Sequence, residues 1–567
     1  MSADGDIVAF QNSMNDNLAD ASTVLFNDKN YAFITDSTSN SGSFSSGQIQ
    51  FDLATLNSQS QWIDFCEHVY EFPVKITATV TTAATGTVSP VTIAAINTAI
   101  IKNGWHQWID SAQLIINGQT IQSSQPYENV SGTFRILSNW SQDTLKKWGS
   151  SCGVALDDCT ADTVIVNATN VQGLANAAVA TVATTQRGFD AVNNQAVLYN
   201  RGVSTRSSIT NTNIAPAAAS LQTTVLGAAA MKTAGRSNVA STTAGSNTAG
   251  DVIYSAFYMA QVRGRDLFDI NDFPMVKNLK GFVYLSFNST STTLTGTATS
   301  AVIASIVNTP LTGRCTPYLI NNSATGIVMA TGSTGAPVIT ITGSVDATTT
   351  GAVGVSGPLL TNARLLVPYY LANPKTDSAL TQSSKFFTTY EKIVNPIIVA
   401  AGATVNYTIT TGVPNARRLL LLPMWQNLGG ATMPNPEQSC FDTCPATSGP
   451  FAGLTNLQVY LANKPLFQYP IQYDYEMYVQ EQSQLGLNGN MVDQQTSGLL
   501  SQQLWEQNHR FYTVDLSRRM DSEDGSSKSV QVSFNNPSAA YPMKVIAVVY
   551  YEKKWIVNTA TCQLSSV

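Results

Sequence analysis

Side chains that could bind a metal ion are few in this sequence, and their spacing does not suit a zinc site. The 567 residues include seven cysteines and three histidines. Cys66 lies two residues from His68 and Cys440 lies four residues from Cys444, but neither pair has a second pair to complete it. Because a structural zinc ion needs four nitrogen or sulfur ligands in tight pairs, we predict no metal site and no cofactor.

Motifs for nucleophilic or hydrolytic catalysis are also missing. The sequence has no GxSxG, GxxxxGKS/T or HExxH segment, and its three histidines offer few candidate bases. The neighbouring carboxylates Asp157 and Asp158 would suit glycoside hydrolysis only across a cleft, with carboxyl groups about 5–10 Å apart. Turn formation explains these residues better, so we predict that the protein is not an enzyme.

One dense group of charged side chains is the candidate interaction site. It consists of Arg518, Arg519, Asp521, Glu523, Asp524 and Lys528. Because charged contacts specify orientation more than they add affinity, we predict that this charged group sets the register between neighbouring subunits. The alternative is a solvent-exposed turn, in which each ion pair contributes about 0–1 kcal/mol.

An aromatic group at Trp105, His106 and Trp108 offers two interpretations. Aromatic rings can form a platform for a sugar, which would suit a glycan-binding protein. More often such a group lies at the edge of a sandwich and packs on a helix. We favour this second interpretation, in which His106 is a structural histidine.

Charged residues are scarce along the whole chain, and acidic residues outnumber basic ones. Asp, Glu, Lys and Arg make up 12% of the residues, about half the usual share, while hydrophobic residues make up 43%. The net charge of −6 disfavours a protein that binds phosphates, so we predict no sequence-specific nucleic-acid binding. No signal-like segment follows Met1 and no apolar run approaches about 18 residues, so we expect neither secretion nor a membrane span.

Most of the elements that must position these residues have the period-two pattern of half-buried β-strands. Apolar side chains alternate with polar ones from Val74 to Val80 and from Val530 to Phe534. Asn117 and Gly118 separate two apolar runs and predict a type I′ hairpin turn, because both positions tolerate positive φ. Apolar residues spaced by three and four over 127–140 predict a helix after this hairpin.

An internal repeat divides the chain into two similar halves. Four short segments recur in the same order, so a duplicated domain explains them better than chance does. The segments Ile115–Asn117, Arg265–Leu267, Val283–Asn288 and Leu366–Tyr370 recur as Tyr460–Asn463, Val514–Leu516, Val530–Asn535 and Ala547–Tyr551.

Two stretches of unusual composition account for the greater length of the first half. Residues 161–250 contain seven charged residues and residues 289–361 contain two. Asn117 and Asp266 are 149 residues apart, whereas their counterparts Asn463 and Asp515 are 52 apart. The difference is close to the length of the first stretch, so we predict that both stretches are insertions into the first copy.

Each copy needs about eight short strands, and helices do not alternate regularly with these strands. This pattern favours an antiparallel sandwich of the jelly-roll type. The segments LIINGQTIQSS, RGRDLFDINDFPMVKNLKGFVYLSFN, RFYTVDLSRRMDSEDGSSKSVQVSFN and IAVVYYEKKWIVN carry a resemblance to a known family. The chain resembles the double jelly-roll major capsid proteins of polinton-like viruses and virophages, and more distantly those of tectiviruses and adenoviruses. The resemblance covers roughly residues 45–150, 251–288 and 362–560.

This resemblance implies a structural function in a virion, assembled inside an infected host cell. Three chains would form a pseudo-hexameric capsomer, and capsomers would tile an icosahedral shell around a double-stranded DNA genome. The partners implied are further copies of the chain, a penton protein, and minor or cement capsid proteins. The insertions would form tower loops at the outer end. Whether a membrane lies beneath the shell stays open.

We therefore predict a mainly β protein of two tandem upright jelly-roll sandwiches, with a few short helices and long loop insertions. The predicted boundaries are an N-terminal arm at 1–44, a first jelly roll at 45–375, and a second jelly roll with a C-terminal tail at 376–567. Insertions are predicted at about 152–250 and 289–361. The alternative functions are a cell-surface or secreted β-sandwich adhesin that binds glycans and, in third place, a β-sandwich glycosidase.

Overall fold

Strands form most of the ordered framework in this computed structural model. The residues that the structure describes are 26–38, 44, 47–82, 99–156, 239–240, 250, 252–270, 272–296, 303–312, 318–320, 338–347, 362–381, 384–426, 453–484, 498–507, 509–517 and 525–567. The strands of the first half are β1 (Phe26–Thr35), β2 (Gln48–Asp52), β3 (Trp62–Ile63), β4 (Val69–Thr82), β5 (Ala99–Ile101), β6 (Ile109–Ile116), β7 (Gln119–Gln122), β8 (Val239–Ala240), β9 (Val252–Arg263), β10 (Gly281–Phe287), β11 (Ser289–Gly296), β12 (Ile303–Thr312), β13 (Tyr318–Ile320), β14 (Val338–Val345) and β15 (Arg364–Ala372).

The part of the second half that the structure describes contains fewer strands, and the helices lie mostly in the connections. The strands are β16 (Ser384–Val399), β17 (Thr404–Pro414), β18 (Ala416–Trp425), β19 (Thr455–Leu461), β20 (Lys464–Pro465), β21 (Tyr512–Asp515), β22 (Ser527–Asn535), β23 (Met543–Asn558) and β24 (Leu564–Ser566). The α-helices in the described ranges are α1 (Glu128–Asn139), α2 (Gln142–Cys152), α3 (Gly264–Leu267), α4 (Pro374–Thr381), α5 (Tyr475–Gln484) and α6 (Gln502–Gln507). Short 3₁₀ helices span Leu53–Leu56, Phe65–Glu67 and Trp105–Trp108.

Each half forms a sandwich of two antiparallel sheets, and the strand order is the same in both. In the first sandwich, the larger sheet has the order β1-β15-β4-β9 and the smaller sheet has the order β2-β10-β6-β7. In the second sandwich, the corresponding orders are β16-β23-β18-β21 and β17-β22-β19-β20. The repeat in the sequence is therefore a repeat of a complete eight-stranded unit.

Strand β1 opens the first sandwich and lies within residues 1–44, which the sequence assigned to an N-terminal arm. It pairs along its length with β15. Its inward side chain Ile34 is buried, but the outward side chains Tyr31 and Phe33 are also apolar and are exposed. An edge strand with apolar residues on both faces has no clear period-two pattern, which explains why the sequence did not reveal it.

Part of the second low-charge stretch, residues 289–361, extends the larger sheet. Strand β14 pairs with the far portion of β4, beyond the three residues that pair with β15. Strand β11 pairs with β14 on one side and with β12 on the other. This insertion therefore continues the sheet rather than leaving it, since β4 is 14 residues long and offers a free edge beyond β15.

Two hydrophobic cores fill the sandwiches, and each half contributes side chains to the other half's core. The first core includes residues of β16, β23 and the C-terminal turn, namely Phe387, Trp555, Val557 and Cys562. The second core includes one face of helix α1, namely Tyr127, Val130, Phe134 and Leu137. The two sandwiches are thus interlocked, and neither core is complete without the other half.

The hairpin between β6 and β7 has the turn that its sequence predicts. Asn117 and Gly118 occupy the two turn positions with φ of 48° and 80°. In the second sandwich, Ala462 and Asn463 occupy the matching turn between β19 and β20 with φ of 49° and 64°. Both turns need positive φ at two positions, as type I′ hairpins do.

Candidate functional site

Helix α1 of the first half covers the larger sheet of the second half, and buried side chains of both halves meet there. On β23, the even-numbered residues from Lys544 to Tyr550 share one face of the sheet. The ammonium of Lys544 lies 5.0 Å from the centre of the Tyr127 ring, at the start of α1. The larger sheet is therefore covered on both faces, which explains why the segment IAVVYY is apolar without alternation.

A network of buried charges holds helix α1 to its own half. Arg135 donates from Nη1 to Oε1 of Glu128 over 2.9 Å, and its Nη2 donates to Oδ2 of Asp269 over 3.0 Å. A further bond of 2.6 Å joins Nη1 to the backbone carbonyl of Leu267. Burial opposes the charge on Arg135, but Asp269 and Glu128 outweigh burial and raise its pKa.

The same network reaches across to the second half through Lys392 on β16. The Lys392 ammonium forms an ion pair with Oε2 of Glu128, and both side chains are buried. Burial lowers the pKa of Lys392, although Glu128 acts against this shift. Glu128 therefore joins one cation from each half, which makes it the central residue of the contact between the two sandwiches.

A row of side chains across the second larger sheet completes the surface that receives helix α1. Tyr550 pairs across strands with Lys392 on one side and with Arg418 on the other. The Arg418 guanidinium lies 4.4 Å from the Tyr550 ring centre and 4.9 Å from that of Phe134 in α1. The aromatic faces stabilise the buried cation, so Arg418 is held by rings on both halves.

Glu391, the neighbour of Lys392 on β16, forms a second contact with the first half. It accepts from the backbone N–H of Ser123 over 3.3 Å and from the hydroxyl of Tyr551 over 2.7 Å. It also forms an ion pair with Lys553. Burial alone would raise the pKa of Glu391, but the bonds from Lys553, Ser123 and Tyr551 outweigh it and lower the pKa.

The turn near the C terminus fastens the second half to the opposite end of the first. Asn117 donates from Nδ2 to the carbonyl of Cys562 over 2.9 Å, and Asn278 donates to the carbonyl of Ala560 over 2.7 Å. The backbone N–H of Lys277 donates to the carbonyl of Thr559 over 2.8 Å. Asn117, predicted only as a turn residue, thus also joins the two halves.

Helix α4, which connects the halves, is held by Asp377. The indole N–H of Trp62 donates to its Oδ1 over 2.7 Å. The same carboxylate forms an ion pair with Lys277, whose ammonium lies 5.0 Å from the centre of a Trp62 ring. These bonds outweigh desolvation and lower the pKa of Asp377.

No family model matches this sequence, and no curated protein matches it. Several solved structures are similar in fold. A chain of the Sputnik virophage is 11% identical, with a TM-score of 0.47, 96% of this chain and 89% of that chain covered. The mavirus major capsid protein is 10% identical, with a TM-score of 0.43 and coverage of 95% and 90%. The Faustovirus major capsid protein is 10% identical, with a TM-score of 0.42 and coverage of 94% and 91%.

The strand order decides the fold independently of these similarities. When the eight framework strands of each half are lettered B to I in chain order, both larger sheets have the order B-I-D-G and both smaller sheets have the order C-H-E-F. This order defines a jelly roll. The fold is a double jelly roll.

The aromatic group of the first jelly roll packs inside the protein. Trp105, His106 and Trp108 lie on a 3₁₀ helix and are buried, so they offer no platform for a sugar. His106 Nε2 lies 2.8 Å from the hydroxyl oxygen of Thr133 on helix α1. Burial lowers the pKa of His106 to about 3, as expected for a neutral structural histidine, which is the interpretation that its sequence context favours.

The predicted charged group falls mostly on residues outside those described. Arg518, Arg519, Asp521, Glu523 and Asp524 all lie there, whereas Lys528 lies on β22. The flanking residues place the group in the connection between strands G and H of the second jelly roll. Gly525 donates its backbone N–H to Oδ1 of Asn415 over 2.7 Å at this end of the sandwich. The role of the charged group at contacts between subunits stays a prediction.

The thiols in the described part of the chain are buried. They are Cys66, Cys152 and Cys562. Burial raises the pKa of Cys66 and of Cys562 to about 12, so neither is a nucleophile at neutral pH. Among the described residues, no group of three or more potential ligands could hold a metal ion, and no helix there is long and apolar enough to cross a membrane.

Sequence reasoning missed the buried charges that join the jelly rolls. Glu128 and Arg135 are seven residues apart on a helix, which places them on one face. The signal available in the sequence was that one acid and one base, Glu128 and Arg135, occur among the apolar residues of this helix. Their partners Asp269 and Lys392 gave no signal, because both lie far from helix α1 in the sequence.

Proposed function

We propose that this protein is a viral major capsid protein whose function is structural. Its double jelly roll, complete in both copies, is the observation that carries the proposal. The interlocked cores and the buried ion network make one chain a rigid two-sandwich block. A rigid block with two similar units is suited to a shell, where each unit meets neighbours in nearly equivalent ways.

The proposed assembly begins with a homotrimer of pseudo-hexameric outline, and trimers then tile an icosahedral shell around a double-stranded DNA genome. Trimer contacts in this scheme are obligate, so they bury more than about 2,000 Å². Contacts between trimers can be weaker, because many of them act together. A penton protein at the vertices and minor or cement proteins are the further partners, and the protein resides in the virion.

The two long insertions support a polarity for the proposed shell. Successive strands of each jelly roll run in opposite directions, so connections F–G and H–I lie at the same end of a sandwich. The stretches 152–250 and 289–361 fall in these two connections of the first jelly roll. We assign this end to the outer surface, as tower loops, and the opposite end with the charged group to contacts between subunits.

The division of the chain follows from the same proposal. The second jelly roll with its tail covers 376–567, as the sequence predicts, and the first jelly roll with its two insertions precedes it. In this proposal the first jelly roll also includes β1, because β1 pairs with β15, and the N-terminal arm is correspondingly shorter. A glycan-binding adhesin is not favoured, because the aromatic group that suggested it is buried.

Size-exclusion chromatography with light scattering tests the proposed function directly. One chain has a mass of 60.6 kDa, so a capsomer has about three times that mass, and negative-stain images would show a hexagonal outline. A stable monomer at every accessible concentration would contradict a capsid function. Binding of that monomer to a glycan array would favour the adhesin.

A further inference from the structure

Arg418 on strand β18 is a buried cation without an anion in contact. Only 4% of the residue is exposed. Its guanidinium lies 4.4 Å from the centre of the Tyr550 ring and 4.9 Å from that of Phe134. Within the described part of the chain, no ion pair includes Arg418 and its Nε has no hydrogen-bond partner. Aromatic rings attract the charge, but they do not replace an acceptor for this N–H donor.

The acids nearest to Arg418 are bound to other groups. Asp515 lies opposite it on strand β21, but Oδ1 of Asp515 accepts from the backbone N–H and the hydroxyl of Ser517 over 2.8 and 2.6 Å. Both oxygens of Asp269 accept from Arg135. Burial lowers the pKa of Arg418, and the charge of Asp269 opposes this shift without overcoming it. Because an arginine stays protonated in a protein, Arg418 keeps its charge in this buried position.

The other two buried cations beneath helix α1 have direct partners. Arg135 binds two carboxylates, and Lys392 binds Glu128. Arg418 is therefore the exception in a network that otherwise pairs its charges. Since burying an unpaired charge is costly, the position calls for an acceptor that the described residues do not supply.

Three buried hydroxyl groups near Arg418 also have no hydrogen-bond partner among the described residues. They belong to Tyr550 on β23, Ser131 on helix α1 and Tyr478 on helix α5. Burial raises the pKa of Tyr550, and the Ser131 hydroxyl is near enough to oppose this shift. Burial likewise raises the pKa of Tyr478, and the charge of Arg418 opposes it. Each of these hydroxyls can donate a hydrogen bond, so the unsatisfied groups here share a need for an acceptor.

We propose that a small monovalent anion of the halide class binds between helix α1 and the second larger sheet, where it accepts from Arg418 and from the hydroxyls of Tyr550 and Ser131. A water molecule could accept these bonds but would leave the charge of Arg418 uncompensated, whereas a halide does both. The positive edges of aromatic rings also favour an anion. The ligand touches both halves, so it helps to hold the two jelly rolls together. This inference concerns a contact inside one chain and does not depend on the proposed function.

Anion binding is coupled to folding, because helix α1 and the second sheet form the site only in the folded chain. A ligand that binds the folded chain alone lowers the unfolding equilibrium constant about tenfold for each tenfold rise in its concentration above Kd. Denaturant titrations at fixed pH and ionic strength, with gluconate replaced stepwise by chloride, measure this dependence. Bromide should act as chloride does. An unfolding constant that is the same in chloride and in gluconate would overturn the proposal.

Arg418→Met removes the guanidinium, keeps an apolar side chain, and is expected to abolish the dependence on chloride. Arg265→Met is the matched control, since Arg265 has its own partners in the carboxylate of Glu67 and the carbonyl of Cys66. This control should keep the tenfold dependence. An Arg418→Met variant with the same dependence as the original protein would show that chloride acts elsewhere, and the assigned site would be wrong.

Two milder variants keep the test open if Arg418→Met does not fold. Tyr550→Phe and Ser131→Ala retain the cation, and each removes one hydroxyl. A lost hydrogen bond of ordinary strength should raise the Kd for chloride about two- to tenfold in each variant. The same titrations give these constants, and a Kd unchanged in both variants would contradict the proposed set of donors.

Crystals grown in bromide locate the anion directly. A bound bromide gives an anomalous scattering peak, which we expect beside the guanidinium of Arg418 and between helix α1 and strand β23. Crystals of Arg265→Met should show the same peak. An ordered water molecule without anomalous signal at this position would overturn the proposal.

Discussion

Asn117 donates a hydrogen bond of 2.9 Å from its side chain to the backbone carbonyl of Cys562, 445 residues further along the chain. The same residue has φ of 48° in the turn between β6 and β7. A local turn signal and a contact between the two jelly rolls therefore depend on one side chain. Substitutions that keep the turn and remove the bond can separate the two roles.

We expect Asn117→Gly to lower the free energy of unfolding by about 0.5–1.5 kcal/mol, the contribution of a typical hydrogen bond. Glycine adopts positive φ without strain, so the turn itself is kept. Asn117→Ala should have a larger effect, because it loses the bond and also places a Cβ in the left-handed region. Denaturant titration of both variants measures the difference. Equal stability of the two would show that the turn conformation is unstrained.

Removing the charge of Glu128 should be among the most damaging single substitutions. Glu128→Gln leaves the buried cations of Arg135 and Lys392 without their shared partner, and breaking a buried pair costs about 3–5 kcal/mol. The double variant Glu128→Gln with Lys392→Met removes one of the two cations. It should therefore be more stable than Glu128→Gln alone, and a double-mutant cycle measures the coupling.

The matched control for this pair is an ion pair at the surface. Lys554 and Glu552 lie 3.9 Å apart and are more exposed. Lys554→Met should change the free energy of unfolding by less than about 1 kcal/mol. If Glu128→Gln has an effect as small as this control, the buried network does not hold the jelly rolls together.

Two buried histidines predict a loss of stability in mild acid. Burial lowers the pKa of His68 to about 4 and that of His106 to about 3, from an ordinary value of 6.5. Between these values and pH 6.5 the unfolded chain binds more protons than the folded chain. The free energy of unfolding therefore falls as the pH falls through this window, by up to about 1.4 kcal/mol per pH unit for each histidine.

Denaturant titrations at several pH values between 7 and 4 test this prediction. His106→Gln removes one titrating group and keeps a side chain that can bond to Thr133. The variant should have a shallower dependence on pH than the original protein. An unchanged slope would show that His106 titrates equally in the folded and unfolded chains.

Gly264 has no room for a side chain, because the ring of His68 lies against it. A Cβ at this position would overlap Cε1 and Nε2 of His68. Gly264→Ala should therefore lower the free energy of unfolding by about 3 kcal/mol or more, at the upper end of overpacking effects. Adding His68→Ala should recover part of the loss, and a double variant no better than Gly264→Ala would contradict this origin.

Much of the framework follows from local patterns in the sequence. Alternation from Val530 to Phe534 gives β22 with Val530, Val532 and Phe534 buried, and the turn at Asn117 and Gly118 gives the hairpin. The order of recurring segments gave the duplication. These features are local or repeated, so they need no knowledge of which distant segments meet.

Other elements could not be predicted, because contacts with residues distant in the sequence decide which of their side chains are buried. Strand β1 carries exposed Tyr31 and Phe33 beside buried Ile34, so its pattern does not show which face is inward. The aromatic group at Trp105 and Trp108 fits either a surface platform or a core. Only the position of helix α1 against that group decides that it is buried.

The sequence by itself determined the class of fold, the duplication and the hairpin turn, because strand alternation and turn chemistry act between residues close in the chain. The tertiary structure decided how the two jelly rolls join. Glu128 and Lys392 are 264 residues apart, and each is an ordinary charged residue in its own segment. Their pairing exists only because helix α1 covers the second sheet, where low polarity makes an unpaired charge too costly to bury.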